Sequence, residues 1–296
     1  MVCTNPYPRR MYNPNWDGNP LTEYTYILVP CGKCLACRIN RRREWTVRLL
    51  NEEIYSSSSF FVTLTYDNEH LPLDKNGNPC VCKRDVQLWL KRLRKKFGSG
   101  IRYFLNSEYG ELGRPHYHAI IFNLPPTFAP DSHSIIRFSD GHKSISFHSH
   151  SFQQIWGKGD VEYSEATKER CGYCAKYFVD RKEIDSSLVP NFSLISKGTK
   201  FNKLGGIGSR YAEAIKSKVR YNQSVSMIHP SSGKYVAIPR LYRNKIYSEE
   251  ERQKMFQQYF NDYSLSDEYI SLLENHKIVE ANQLKAMTFK RKKSKI

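Results

Sequence analysis

Hydrophobic and polar positions change period along the chain, and the changes mark its elements. Phe60-Phe61-Val62-Thr63-Leu64-Thr65-Tyr66 is dense in β-branched and aromatic residues and predicts a strand. Val86, Leu90, Leu93 and Phe97 recur at three- and four-residue steps, which predicts a helix over 85–97 with Asp85 as its N-cap. Lys91, Arg92, Arg94, Lys95 and Lys96 crowd the second half of that helix, and Gly98-Ser99-Gly100 ends it. Ile101–Glu108 reads as a strand, Gly110, Gly113 and Pro115 as a turn, and His116–Phe122 as a strand that is apolar almost throughout apart from its histidines. Upstream, Tyr26–Val29 is a short apolar strand, and Arg38–Tyr55, with Trp45, Val47, Leu49, Leu50 and Ile54, is an amphipathic helix. Downstream, Phe147–Trp156 and Thr167–Asp180 read as helices, with a short strand at Val161-Glu162-Tyr163 between them.

That order predicts an α+β domain, a central antiparallel sheet with helices packed on one face. Residues 1–25, rich in Pro, Asn and Tyr, read as an irregular N-terminal arm, and 26–190 as the main domain. Beyond Pro190 the pattern changes. Gly205-Gly206-Ile207-Gly208 precedes a helix over Ser209–Lys218, Ser224–Ile228 and Lys234–Ile238 flank a turn as a hairpin, and Glu249–Phe260 is helical. Residues 191–289 thus form a small C-terminal α+β extension whose role no motif reveals, and 290–296 a basic tail.

Charge narrows the partner. Among 296 residues, 46 Lys+Arg stand against 29 Asp+Glu, a formal net charge of +17. With 20 Tyr, 15 Phe and 4 Trp the chain is too aromatic for a disordered tail. No apolar run approaches the roughly 18 residues of a membrane span, so no membrane partner is expected. Met1–Pro8 lacks an apolar signal core, which makes the cytosol the default compartment. A basic, aromatic-rich chain of this kind expects an acidic partner, with nucleic acid foremost. Trp45, Trp89 and Tyr103, interleaved with basic runs, are candidates for stacking on single-stranded bases.

In a reducing compartment clustered cysteines suggest a metal and not disulfides. Cys31, Cys34 and Cys37 form C-x-x-C-x-x-C, and a tetrahedral zinc site needs one more ligand, for which Cys3, Cys80 and Cys82 are available. Such a site would be structural, since four thiolates leave no open position. Free cysteines at a strand–loop junction are the equally open alternative.

The sharpest chemistry lies in Arg114-Pro115-His116-Tyr117-His118. Residues i and i+2 of a strand share a face, so His116 and His118 project together. If the strand over 101–108 pairs with theirs, Glu108 comes beside them; Glu111 competes but sits in the turn. Two imidazoles and a carboxylate suit Mg²⁺ or Mn²⁺ held together with a phosphate. On a helix, Tyr173 and Tyr177 stack one turn apart, with Lys176 bordering them. Tyrosines at this spacing are also ordinary packing residues, and Lys176 an ordinary solvated lysine. His148-Ser149-His150 reads as an exposed loop or helix start, and the glycines at 205–208 as a weak phosphate cradle.

Together these motifs resemble a family. A Phe-Thr-Leu-Thr strand over 61–66, then His116-Tyr117-His118, then Tyr173–Tyr177 is the motif order of the HUH endonucleases. Paired tyrosines are typical of the rolling-circle initiators of single-stranded DNA phages. The runs Pro30–Arg38 and Phe152–Gly159 are more specifically similar to the replication initiators of gokushoviruses, in the Microviridae; the resemblance covers Val29 to Val179. It implies a HUH endonuclease domain over 26–190 and metal-dependent nicking and rejoining of single-stranded DNA at the viral replication origin. Tyr173 and Tyr177 would be nucleophiles forming a 5′-phosphotyrosine, Glu108, His116 and His118 would hold Mg²⁺ or Mn²⁺, and Lys176 would lower a tyrosine pKa or neutralise phosphate. No organic cofactor is called for. The host replication machinery would extend the freed 3′-OH in the bacterial cytoplasm. A zinc-stabilised, non-catalytic single-strand-binding protein, with the tyrosines as packing, is the competing reading.

Overall fold

The computed structural model describes residues 3–12, 16, 18–20, 23–110, 112–139, 142–179, 188–198, 205–221, 226–230 and 232–263, with 271, 275, 278 and 282 beyond. The elements run β1 (Tyr7–Tyr12), β2 (Tyr24–Val29), α1 (Leu35–Glu53), β3 (Ser59–Thr65), α2 (Lys83–Phe97), β4 (Arg102–Tyr109) and β5 (Pro115–Phe122). They continue with β6 (His133–Ser139), β7 (His142–His148), α3 (His150–Trp156), β8 (Val161–Glu165), α4 (Lys168–Val179) and β9 (Ser193–Ile195). Last come α5 (Ser209–Tyr221), β10 (Ser226–Ile228), β11 (Tyr235–Ala237), α6 (Arg240–Ile246) and α7 (Glu249–Tyr263). The chain divides into two compact units, residues 1–41 with 243–296, and residues 42–242. No helix among the described residues is long and apolar enough to cross a membrane.

The architecture is α+β. Seven strands form one antiparallel sheet in the order β6-β7-β8-β3-β5-β4-β9. Helices cover both faces and not one, which explains why β5 reads as almost continuously apolar. On one face Tyr117, Ala119 and Ile121 of β5 join Val86, Trp89, Leu90 and Leu93 of α2 with Phe152 and Trp156 of α3. On the other, Phe104, Ile120 and Phe122 meet Leu49 and Leu50 of α1 and Cys171 and Cys174 of α4. A buried Arg102–Glu52 ion pair ties β4 to α1 on this second face.

Several local expectations shift. The arm over 1–25 is not wholly irregular: Tyr7–Tyr12 pairs antiparallel with Tyr24–Val29, Tyr7 opposite Val29. Helix α2 begins at Lys83 with Cys82 in the N-cap position. Asp85 therefore lies in the first turn, where its carboxylate accepts from the Tyr66 hydroxyl at 3.1 Å. The segment 147–156 is split, since His148 closes β7 and Ser149 caps α3, its Oγ accepting the Phe152 N–H at 3.2 Å. The β6–β7 hairpin escaped the pattern because its serines and histidines dilute the apolar alternation at a sheet edge. Strand β9 pairs with β4, so the sheet takes a strand from beyond residue 190 and a boundary there cuts through it. The basic tail, 290–296, lies outside the described residues.

One glycine is demanded by a close approach. Gly159 has φ +138°, and a Cβ there would fall 2.4 Å from both the Asp67 backbone nitrogen and the Thr65 carbonyl oxygen. The Gly157-Lys158-Gly159 segment is thereby laid against the end of β3, with Gly157 in the left-handed position that ends α3.

Candidate active site

Strand pairing assembles the site. Along β4 and β5, Glu108 stands opposite His116 and Asn106 opposite His118. Along β3, Thr65 and Thr63 stand opposite the same histidines. Directly paired residues share a face, so all six lie on the side covered by α1 and α4. Glu108 Oε2 is 3.6 Å from His116 Nε2 and 3.5 Å from His118 Nε2. One ligand atom from each residue fits within 4.8 Å of the others. Glu108 Oε2 is buried and has no hydrogen-bond partner among the described residues. A buried carboxylate oxygen left so is costly, and a cation among the three groups removes the cost. Adjacent ligands about 2.1 Å from an octahedral Mg²⁺ sit about 3.0 Å apart, so shifts of about half an ångström close the three onto an ion. The donor set fits a hard divalent cation. Glu111, the competing carboxylate, lies outside the described residues.

Hydrogen bonds orient both imidazoles. His116 Nδ1 is 3.4 Å from the Arg114 carbonyl, to which only an N–H can donate, so its Nε2 carries the free lone pair. His118 Nδ1 lies 3.2 Å from Thr63 Oγ1; the tautomer donating there likewise leaves Nε2 facing Glu108. Phe61 stacks on the His118 ring at 5.4 Å. Burial, reinforced by His116, pushes the His118 pKa down to about 4 and keeps the imidazole neutral, as a ligand must be.

Helix α4 crosses over these groups. The Tyr173 hydroxyl is 3.5 Å from His118 Nε2, and the Tyr173 and Tyr177 rings meet edge-on at 4.6 Å. The Tyr177 ring centroid is 6.3 Å from that of His118. Lys176 Nζ lies 5.6 Å from the Tyr177 ring. Burial, the Tyr177 hydrogen bond and the Glu108 charge all push the Tyr173 pKa up. Two bonds seat the helix: Asn106 Nδ2 donates to the Cys174 carbonyl at 2.9 Å, and Arg42 Nε to the Gly172 carbonyl at 3.1 Å.

The sequence-derived residues thus meet in one place: Glu108, His116, His118, Tyr173, Tyr177 and, at the margin, Lys176. Thr63 and Asn106 were not foreseen as supports. Period-two alternation from Phe61 through Thr65 marks Thr63 once β3 is paired with β5, whereas the role of Asn106 depends on where α4 lands. Other expectations change. Trp89 is fully buried in the core and cannot stack on bases. The loop at 205–208 has its polar groups engaged by protein, since Glu52 accepts the Gly208 N–H at 2.6 Å and Arg48 donates to the Ile207 carbonyl at 3.1 Å. His148 is half-buried, its Nδ1 3.1 Å from Asp160 Oδ1. Cys31, Cys34 and Cys37 converge with Cys3, while Cys80 and Cys82 lie outside that cluster.

Comparison with known proteins adds to this geometry. The sequence profile of a family of replication-associated proteins, described by its ORF2 members, matches residues 59–182, the stretch that holds both histidines, Glu108 and both tyrosines. Replication-associated protein ORF2 of Spiroplasma virus 4 is 31% identical over 229 residues, 74% of this chain and 67% of that protein. Replication-associated protein VP4 of Bdellovibrio phage phiMH2K is 27% identical over 231 residues, 75% of this chain and 68% of that protein. Replication-associated protein ORF4 of Chlamydia phage 1 is 28% identical over 183 residues, 58% of this chain and 44% of that protein.

Proposed function

This chain belongs to the ORF2-type replication-associated proteins, in the gokushovirus branch of the Microviridae, and from that membership we propose that it starts phage DNA replication by nicking and rejoining single-stranded DNA through tyrosine. The observation that carries the reading is the seat of Tyr173, its hydroxyl 3.5 Å from a histidine that also faces Glu108. The HUH arrangement accounts for a carboxylate and two histidines on one sheet face with two tyrosines on the helix above.

Glu108, His116 and His118 would hold Mg²⁺ or Mn²⁺, which when bound supplies charge neutralisation at the scissile phosphate. Tyr173 or Tyr177 then attacks phosphorus. Its oxygen forms the new P–O bond, the P–O3′ bond breaks, and the proton lost by the phenol is matched by the one gained at the departing 3′-OH. The product is a 5′-phosphotyrosine and a free 3′ end for the host replication machinery. In the reverse sense a 3′-OH displaces the tyrosine and reseals the strand, so no water or nucleotide is consumed. The raised pKa of Tyr173 suits a nucleophile that ionises only when phosphate and cation are in place. Lys176 adds positive charge beside Tyr177. The reading locates the protein in the host cytoplasm, acting on the viral origin.

The test is incubation with labelled single-stranded origin DNA and Mn²⁺, followed by a denaturing gel. A covalent protein–DNA adduct, absent with EDTA and in the Tyr173→Phe/Tyr177→Phe protein, is the expected result. Cleavage without an adduct would point to hydrolysis, and binding alone to a non-catalytic DNA-binding protein.

A further inference from the structure

A second cluster lies away from the nicking site, wholly within residues 1–41. The sulfurs of Cys3, Cys31, Cys34 and Cys37 all fall within 4.8 Å of one another. Cys3 Sγ is 3.6 Å from Cys31 Sγ and 3.8 Å from Cys34 Sγ. None of the four is in a disulfide, for which the sulfurs would stand at about 2.05 Å. Four thiolates about 2.3 Å from a tetrahedral Zn²⁺ lie about 3.8 Å apart, and the observed separations match that edge.

Packed thiols alone can also touch at such distances, but the backbone around them is arranged for negative sulfur. The Lys33 and Cys34 amides both donate to Cys31 Sγ, at 3.4 and 3.2 Å, and the Cys31 amide donates to Cys3 Sγ at 3.3 Å. The turn that folds two amides back onto one sulfur passes through Gly32, at φ +72°, a conformation that favours glycine. Cys34 directly precedes α1 and Cys37 lies in its first turn, where the helix dipole favours thiolate. Cys3, Cys34 and Cys37 are buried, so the site is closed.

We propose that Cys3, Cys31, Cys34 and Cys37 bind one Zn²⁺ as a closed structural site, with Cys3 as the ligand that completes the C-x-x-C-x-x-C run. Each thiol gives up its proton on binding, and no sulfur changes oxidation state. The ion would fasten the segment around Cys3 to the start of α1. The proposal rests on the cysteines alone and is independent of the nicking reading.

Metal analysis of the purified full chain tests it. One zinc per chain is expected in the unmutated protein, in the Cys80→Ser/Cys82→Ser protein and in the His116→Ala/His118→Ala protein, and loss of that zinc is expected in Cys3→Ser. Replacement by Co²⁺ should give thiolate-to-metal charge-transfer absorption. If Cys3→Ser fails to fold, the unmutated protein is titrated with a mercurial, and zinc release should finish as four thiols are modified. A chain that neither carries nor takes up zinc, iron in its place, zinc lost from the histidine variant, or zinc kept in Cys3→Ser and lost from Cys80→Ser/Cys82→Ser would each overturn the proposal.

Discussion

Replacing Asn106 by alanine should separate the seat of the tyrosine helix from the metal ligands beneath it. Asn106 is 1% exposed and makes two side-chain bonds. Its Nδ2 donates to the Cys174 carbonyl at 2.9 Å, and its Oδ1 accepts from Ser193 Oγ at 2.6 Å. The Cys174 carbonyl sits within α4 and keeps a helical partner, so losing the first bond costs about 1 kcal/mol. Losing the second leaves the Ser193 hydroxyl without its acceptor and costs about 1–2 kcal/mol. The sum, about 2–3 kcal/mol, lowers the melting temperature of a unit this size by about 5–10 °C. Ser193→Ala alone should cost about 1 kcal/mol, and the double mutant less than the sum of the two. Thermal and urea melts read the stability. Single-turnover adduct formation on labelled DNA, at a temperature where all proteins are folded, reads positioning. A displacement of α4 of about 1 Å should slow adduct formation by about 100-fold. If Asn106→Ala loses the stability but forms adduct at the unmutated rate, Asn106 does not position the tyrosines and this part of the reasoning fails.

Glu108→Gln keeps the shape and removes the charge, so Mn²⁺ affinity by calorimetry should fall by more than the roughly 10–100-fold typical of changes to outer groups around a metal; unchanged affinity would remove Glu108 from the ligand set. Gly159→Ala should destabilise by about 2 kcal/mol or more, measured by urea titration, because its Cβ must displace the backbone of Thr65 and Asp67 from a left-handed position. His118 protonates near 6.5 when unfolded but is pushed down to about 4 by burial. The unfolded chain therefore takes the proton first, and with metal chelated the stability present above about pH 6.5 is lost as the pH falls toward about 4, by at most about 3 kcal/mol. His118→Gln should flatten that part of the urea-midpoint curve, and an equally steep curve in the variant would assign the loss to other groups.

The sequence was most informative where local period and chemistry coincide. Strand alternation put His116 and His118 on one face, and the short turn after Tyr109 made Glu108 their neighbour without knowledge of the rest of the sheet. Helical spacing likewise stacked Tyr173 on Tyr177. What could not be read depends on distant segments. Nothing near Cys34 indicates that its third neighbour is Cys3, 31 residues away. Trp89 beside basic residues looks available to a base until α2 is laid on the sheet. The hairpin of β6 and β7 and the short β9 lie toward the sheet edges, where residues need less hydrophobicity and leave a weaker pattern. Helices on both faces were hinted at by the apolar run in β5, a signal that goes with double-sided burial.

Strand β5 is hydrogen-bonded on both sides, by β3 and β4, whereas α4 rests on the same sheet through side chains and two polar clasps. The two halves of the chemistry therefore differ in mechanical compliance. The histidines are set in a ladder where moving one residue strains two neighbours, and their spacing resists disturbance. The tyrosines ride on a rod that can tilt or slide while those ladders stay intact. Substitutions along α4 and its clasps should change how fast a strand is cut while leaving the grip on the cation nearly as it was.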